Sequence, residues 1–347
     1  MALTAPISPQ VSVLMAVFNG ARYVESALAS IQNQTLDDIE IIVVDDASQD
    51  ETPQILAKIA AADPRIHVET LSENLGVAGA ANRGLDLARA PYVARMDSDD
   101  ISMPDRLAHQ KAYLDTHDTV MLIGSSIGQI DAEGAHLRTS HRPRDAFSCR
   151  WLARFFYPVT HPSTMFRRVA PDGTPLRYAD QMRTTLDYEF FARVLAHGEA
   201  VSTSDILLNY RIHDGSISGT KYRDQATRAQ KIALGVQDRE LPPKVRASLE
   251  PFNAAYLGFS AAPPAAIFAA MRQMIAYDAA SHPDRRTWMR RQASQLLLSA
   301  LQRSGLSRKQ ARRAFLRHGV DFLPALALRA AELKRMLPAA LRSDPPV

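Results

Sequence analysis

The chain has 347 residues, enough for one large domain and a smaller one, and its 46% hydrophobic and 22% charged content is ordinary for a globular protein. The single cysteine, Cys149, excludes an internal disulfide and a cysteine-based zinc site. The net charge of +4 is unevenly spread: residues 285–342 hold fourteen Lys/Arg against Asp321 and Glu332, a local +12 that leaves −8 on the remainder. Such a basic end region suits an anionic partner such as a membrane surface, lipid phosphate or nucleic acid, and the alternative is a helical bundle with a solvated basic face. Residues 1–6 show no basic segment leading into an apolar run, and no apolar run reaches the roughly 18 residues of a membrane-spanning helix. We therefore expect a cytoplasmic protein, soluble or peripheral at the inner face of the membrane.

In chain order, residues 11–17 form a short β-branched run without alternation, a buried strand of the parallel-sheet type. Phe18, Asn19 and Gly20 break it, and residues 21–34 read as an amphipathic helix with Tyr23, Ala27, Leu28 and Ile31 on one face. A second buried strand covers 39–44 and ends in Asp45 and Asp46. Residues 50–53 then open a helix that reaches Ala62, with Pro53 in its first turn. A third strand covers 66–70, and Asn74–Gly76 turns into an Ala-rich helix over 77–90. The strand after Pro91 runs straight into Asp97, Asp99 and Asp100. A helix begins at Pro104 and a further strand covers 120–124. This alternation predicts a doubly wound, mostly parallel α/β sheet. Beyond it, residues 131–134 suit a hairpin turn. Residues 161–168 and 200–213 read as strands flanking a helix over 185–198, which Gly198 caps. After Asp214 come helical segments rich in Ala, Leu and Arg, punctuated by prolines.

Three carboxylates within four positions repel one another unless a cation sits between them. Hard oxygen ligands favour Mg²⁺ or Mn²⁺, ions that commonly share their coordination with substrate phosphates. An acidic turn capping the next helix is the bland alternative. A second acid pair, Asp45 and Asp46, ends another strand, and the carboxyl ends of parallel strands share the edge where open α/β sheets bind ligands. Two such pairs are harder to explain as caps, and the natural division puts the first on a nucleoside and the second on a metal-bound diphosphate. The chain has neither a Gly-x-Gly-x-x-Gly after its first strand nor a P-loop, so the diphosphate charge must be met by a cation.

These segments, with residues 74–84, 94–100, 103–107, 161–167, 187–191 and 210–218, resemble the inverting GT-A-type glycosyltransferases of family 2, the group that builds bacterial surface polysaccharides. Each motif is weak alone; their order and spacing make the signal. The Ala-Arg-Met-Asp-Ser-Asp-Asp form of residues 94–100 is similar to exopolysaccharide transferases of the amylovoran type. The resemblance implies a nucleobase pocket lined by Ala16, Phe18 and Asn19, with Asp46 hydrogen-bonding the base and Asn82, Arg83 and Ser98 near the donor. The family usually has Pro or Thr where Ala16 stands and Tyr where Phe18 stands, which leaves backbone or packing contacts there. Asp97 and Asp99 match the DxD acids, Asp99 the better placed for metal, and Asp100 is assigned to structure. Asp187 matches the catalytic base. An acceptor hydroxyl attacking an anomeric carbon needs one carboxylate to take its proton, and inversion needs only one. Asp187 begins a helix, whose dipole favours its ionised form. An N-cap role is the alternative, and Glu189 is the competing base.

His213 suits a loop over the diphosphate, as metal ligand or phosphate donor, with Arg211 the alternative phosphate partner. His161 is expected to shape the acceptor side, and Cys149 to be structural. The expected organisation is a GT-A catalytic domain over 1–220, with a nucleotide-sugar half at about 10–125 and an acceptor half at about 126–220, then a helical basic region over 221–347. The expected donor is a nucleoside-diphosphate sugar, a UDP-sugar first, and the acceptor a glycan or polyprenyl-linked glycan. Residues 322–341 have the pattern of a basic amphipathic helix, fit for an anionic membrane or for packing on protein. No nucleic-acid partner is expected, since aromatics are scarce in the basic region. The rival readings are a nucleotidyltransferase, which would show a Gly-rich basic loop near the first strand, and a sugar-nucleotide-binding protein without turnover, which would need no base.

Overall fold

β1 (Val11–Val17) lies between β2 (Ile39–Asp45) and β4 (Tyr92–Asp97) and runs parallel to both. All of β1 but Ala16 is buried, which is why its sequence is apolar except for Ser12, whose hydroxyl donates to Glu40, rather than alternating. The computed structural model describes residues 9–180, 182, 185–214, 222–256 and 262–322. Helices α1 (Val24–Gln32), α2 (Thr52–Ala62) and α3 (Gly76–Leu87) connect these strands and β3 (Ile66–Thr70), which pairs parallel with β2.

After β4 come β5 (Ile101–Ser102), α4 (Arg106–Thr116), β6 (Val120–Ile130), β7 (His136–Ser140), α5 (Ala146–Ala153), β8 (Met165–Arg167), α6 (Leu186–His197) and β9 (Glu199–Arg211). Among the described residues the sheet order is β3-β2-β1-β4-β8-β6-β9-β5, with β7 on β6. β8 is antiparallel to both β4 and β6, and β6 is parallel to β9, so the sheet is mixed but mostly parallel. The doubly wound expectation holds. The strand expected over 120–124 continues to Ile130 and forms a hairpin with β7 around residues 131–134. The strand expected over 161–168 is shorter: His161–Ser163 is a 3-10 turn with Pro162 in it, and only Met165–Arg167 pairs. Proline lacks the N–H a ladder needs, which postpones pairing to Met165.

Period-two alternation on β1 and β2 divides the core. Leu14, Ile42 and Val44 pack with Ala81 and Leu85 of α3 and Phe190 and Phe191 of α6 on one face. Val13, Met15, Ile41 and Val43 pack with Ala27, Leu28 and Ile31 of α1 and Leu114 of α4 on the other. Each such buried aliphatic side chain contributes about 1.5–3 kcal/mol. The approach of α3 to β1 depends on Gly84: a Cβ there would lie 2.1 Å from Leu14 Cδ1.

The chain divides into two units, Met1–Val236 and Gln237–Val347, the division falling within α7 (Tyr222–Glu240). The second unit contains α8 (Pro243–Ser248), α9 (Glu250–Tyr256), α10 (Pro264–Ser281), α11 (Arg286–Arg303) and α12 (Arg308–His318). Phe252, Phe268, Met271, Met274, Leu297 and Phe315 are buried among them. Among the described residues no helix is long and apolar enough to cross a membrane. Most of the amphipathic pattern at 322–341 lies outside the described residues.

Candidate active site

The ends of β1, β2 and β4 are in register: Ala16 pairs with Val44 and with Asp97, and Val17 with Asp45. Two loops leave this edge and are stapled together. The Asn19 N–H donates to Ser48 Oγ at 2.9 Å, the Gln49 N–H to Asn19 Oδ1 at 2.8 Å, and the Gly20 N–H to Thr52 Oγ1 at 2.9 Å. Asn19 and Ala47 hold φ of 51° and 63°, in the left-handed region where non-glycine residues are uncommon and usually over-determined by their surroundings. Gly20 lies against Ser98; a Cβ on it would meet Val17 Cγ2 at 2.6 Å and Ser98 Oγ at 3.4 Å. Phe18, 49% exposed, leaves its ring open at this edge.

Asp97, Asp99 and Asp100 each offer a carboxylate oxygen within 4.8 Å of the others. Burial raises the Asp97 carboxyl, with Arg95 opposing and Asp99 reinforcing. Burial raises Asp100 further, with both neighbouring carboxylates adding to it. Asp100 Oδ1 accepts the Arg211 N–H at 2.8 Å, while its buried Oδ2 has no partner among the described residues. Asp99 Oδ2 lies 2.9 Å from His213 Nε2, and the His213 ring packs on Tyr23 with centroids 5.0 Å apart. A buried, unpartnered carboxylate oxygen beside two further carboxylates fits a hard divalent cation of the Mg²⁺ or Mn²⁺ type.

Two buried arginines support this turn. Arg95, 1% exposed, donates from Nη2 to Asp97 Oδ1 at 2.9 Å and from Nη1 to the Leu14 and Met96 carbonyls. Arg106, fully buried, reaches the Arg95 and Thr164 carbonyls and Gln110. Neither was singled out from sequence. The available signal was Arg95 itself, a charge inside an otherwise apolar buried strand, which must have a partner.

Asp187 occupies the second position of α6, after Thr185 at φ 58°. It is not the N-cap; its Oδ1 accepts the Tyr188 N–H at 2.9 Å. Burial pushes the carboxyl up to about 6, and the Asp97 charge adds to the rise. Tyr178 stands close to both acids: burial raises its hydroxyl, Arg95 opposes, and Asp97 and Asp187 reinforce. The same hydroxyl lies 2.8 Å from His161 Nε2, and burial with the nearby Arg95 keeps His161 well below its usual range. Glu189 is held differently, both carboxylate oxygens accepting from Arg193 at 2.6 and 2.9 Å.

Other residues singled out from sequence are engaged elsewhere. Both Asp46 oxygens accept N–H groups at the start of α3, from Leu75 at 2.7 Å and Gly76 at 2.9 Å. Asp45 keeps a buried Oδ2 at the same edge that has no partner among the described residues. The Asn82 carboxamide clasps the Tyr178 backbone at 2.9 and 2.8 Å and reaches Asp180 at 2.5 Å. Arg83 pairs with Glu69 at 2.6 Å. Arg211 donates to the Asp99, Asp131 and Ala132 carbonyls, tying β9 to the acid turn and to the β6–β7 turn rather than pointing a free guanidinium at a phosphate. Cys149 is buried, its thiol pushed up by that burial, and its Sγ lies 3.5 Å from the Pro143 carbonyl.

Comparison with known proteins gives the family and the fold. The profile of Glycosyl transferase family 2 matches residues 12–170. The amylovoran biosynthesis glycosyltransferase AmsE of Erwinia amylovora is 30% identical over 205 residues, covering 58% of this chain and 75% of its own. Among solved structures, S. aureus TarS 1-349 in complex with UDP-GlcNAc superposes with a TM-score of 0.58 at 17% identity, covering 89% of this chain and 92% of TarS 1-349. The mannosyltransferase PcManGT of Pyrobaculum calidifontis, in complex with GDP-Man and Mn²⁺, gives 0.52 at 19% identity, covering 86% and 88%. At these identities the two structures show a shared GT-A-type fold. The sheet, its acid-lined edge and the relatedness in sequence lead to one assignment: the chain is a glycosyltransferase and belongs to glycosyl transferase family 2.

Proposed function

We propose that the protein is a metal-dependent, inverting glycosyltransferase that moves a sugar from a nucleoside-diphosphate sugar to a glycan or polyprenyl-linked glycan in surface-polysaccharide assembly. The observation that carries the reading is the pairing of an acid cluster at the β4 end with a single carboxylate, Asp187, raised to about 6 and influenced by the Asp97 charge. The nucleotide-sugar complexes of TarS and PcManGT and the amylovoran role named for AmsE support the substrate class.

Asp97, Asp99 and His213 would hold Mn²⁺ or Mg²⁺, with Asp100 Oδ2 facing the same cluster. When bound, the cation supplies positive charge against the leaving diphosphate. Phe18, Asn19, Ala16 and Ser98 form the donor edge, and Asp46 sets the base side through the start of α3. Asn82 acts through the Tyr178 backbone that it holds, and Arg83 is taken up by Glu69. The donor read first is a UDP-sugar.

In the reaction, Asp187 takes the proton of an acceptor hydroxyl as that oxygen bonds the anomeric carbon. The bond from that carbon to the phosphate oxygen breaks, and its electron pair leaves on the diphosphate. One carboxylate suffices, because no sugar-enzyme bond forms. Catalysis belongs to residues 1–220, and the basic region at 285–342 faces an anionic membrane surface.

A thermal-shift screen tests the reading. UDP-, GDP- and dTDP-sugars are compared with and without Mn²⁺, and a metal-dependent rise in melting with one of them is expected. No shift with any donor would overturn it.

A further inference from the structure

We propose that the outer face of α12 is a docking surface for an anionic phospholipid bilayer. This narrows the membrane-facing part of the function proposed above to one helix, and it rests on that part of the reading.

Arg308, Lys309, Arg312, Arg313 and Arg317 are all exposed, and their side chains make no ion pair with any described residue. At about 100° per residue they occupy one half of the helix circumference, along roughly 14 Å of axis. Leu316 projects from the middle of this arc and is 64% exposed. The opposite side is anchored: Ala311, Ala314 and Phe315 are buried, and Phe315 meets Phe268 of α10 edge-on at 4.9 Å. Ser307 and Gln310 form a capping box at the start of the helix, and beyond its end Arg272 of α10 pairs with Asp321 at 2.7 Å. The cationic face is therefore presented by a fixed helix.

A merely solvated basic face normally carries interspersed acids, and α12 has none. Arg308/Arg312, Lys309/Arg313 and Arg313/Arg317 are like-charge pairs at i,i+4 spacing, which repel on an isolated helix. An anionic surface relieves that repulsion. Residues 323–347 do not suit the role, because their four Lys/Arg against two acids leave them positive. A nucleic acid would find charge but no exposed aromatic ring on α12 on which to stack a base. The exposed leucine at the centre of the arc decides for a bilayer: cations meet headgroup phosphates while an apolar side chain enters the acyl boundary.

The test is cosedimentation of the full chain with vesicles of phosphatidylcholine, with and without phosphatidylglycerol, at low and high salt. Binding that requires phosphatidylglycerol and weakens with salt is expected. R312Q/R313Q should bind roughly 30-fold more weakly, from two neutralised cations. Leu316→Ser should weaken binding several-fold with the salt dependence retained. Unaltered melting and an unaltered donor-induced shift in these variants establish that they are folded, and they read the transferase assignment separately. Binding indifferent to phosphatidylglycerol overturns the proposal, as does wild-type binding by R312Q/R313Q. So does tighter binding to a soluble polyanion that ignores Leu316.

Discussion

Asp187 and Glu189 stand two residues apart in the first turn of α6 and are held in opposite ways. Both Glu189 oxygens accept from Arg193, whereas Asp187 has no cationic partner among the described residues and is raised to about 6. Asp187→Asn should therefore keep donor binding and lower transfer about 10²–10⁴-fold, the usual contribution of a general base. Glu189→Gln should leave transfer within roughly tenfold, its main loss being one i,i+4 ion pair. Single-turnover rates would separate the two, and equal losses would remove Asp187 as the unique base.

The same carboxyl makes a pH prediction. A base must be deprotonated, so kcat/KM should fall as pH drops through about 6, and this limb should be absent from the residual activity of Asp187→Asn. Stability runs the other way. The folded-state pKa lies above the unfolded value near 3.8, so the favourable contribution is present below that value and lost as pH rises through about 6. Asp187 is partly exposed, so Asp187→Asn should stabilise the protein by about 1–2 kcal/mol at pH 8 and by nothing near pH 3. Urea melts at the two pH values check this.

Arg95→Met should leave Asp97 without its buried cation and Tyr178 without a neighbouring charge. Removing one partner of a buried pair costs about 3–5 kcal/mol, and less here because Asp97 is 34% exposed. A loss of about 2–4 kcal/mol in denaturant unfolding is expected, together with a smaller Mn²⁺-dependent donor shift. An unchanged shift would confine Arg95 to the core.

Asp46→Ala should remove two hydrogen bonds from the start of α3 at a cost of about 1–2 kcal/mol. If Asp46 also sets the base side of the pocket, discrimination between UDP and GDP should shrink in isothermal titration. A stability loss with unaltered discrimination would assign it to the helix alone.

Gly84→Ala should destabilise by about 1–3 kcal/mol through overpacking against Leu14. Combination with Leu14→Ala, which vacates that space, should cost less than the sum of the single changes. Additivity in chemical denaturation would show that α3 shifts instead.

What the sequence determined by itself was local. Mostly apolar runs, each with one polar or charged residue (Ser12, Glu40, Arg95) and stopped by Asn19, Asp45 and Asp97, place β1, β2 and β4 within a residue or two, because a strand buried on both faces tolerates little else. Their common polarity then puts the acids on one edge, and the ordered motifs carry the family. Only the tertiary structure decided how each polar group is used. Asn82 and Tyr178 lie 96 positions apart, and Asp99 and His213 lie 114 apart. The three residues of β8 wedge antiparallel between β4 and β6, too short a segment to announce its partners. Arg95 is one charge in a strand until the fold places Asp97 and Tyr178 beside it. A side chain's chemistry is set by what surrounds it, and those neighbours come from distant segments that only the folded packing brings together.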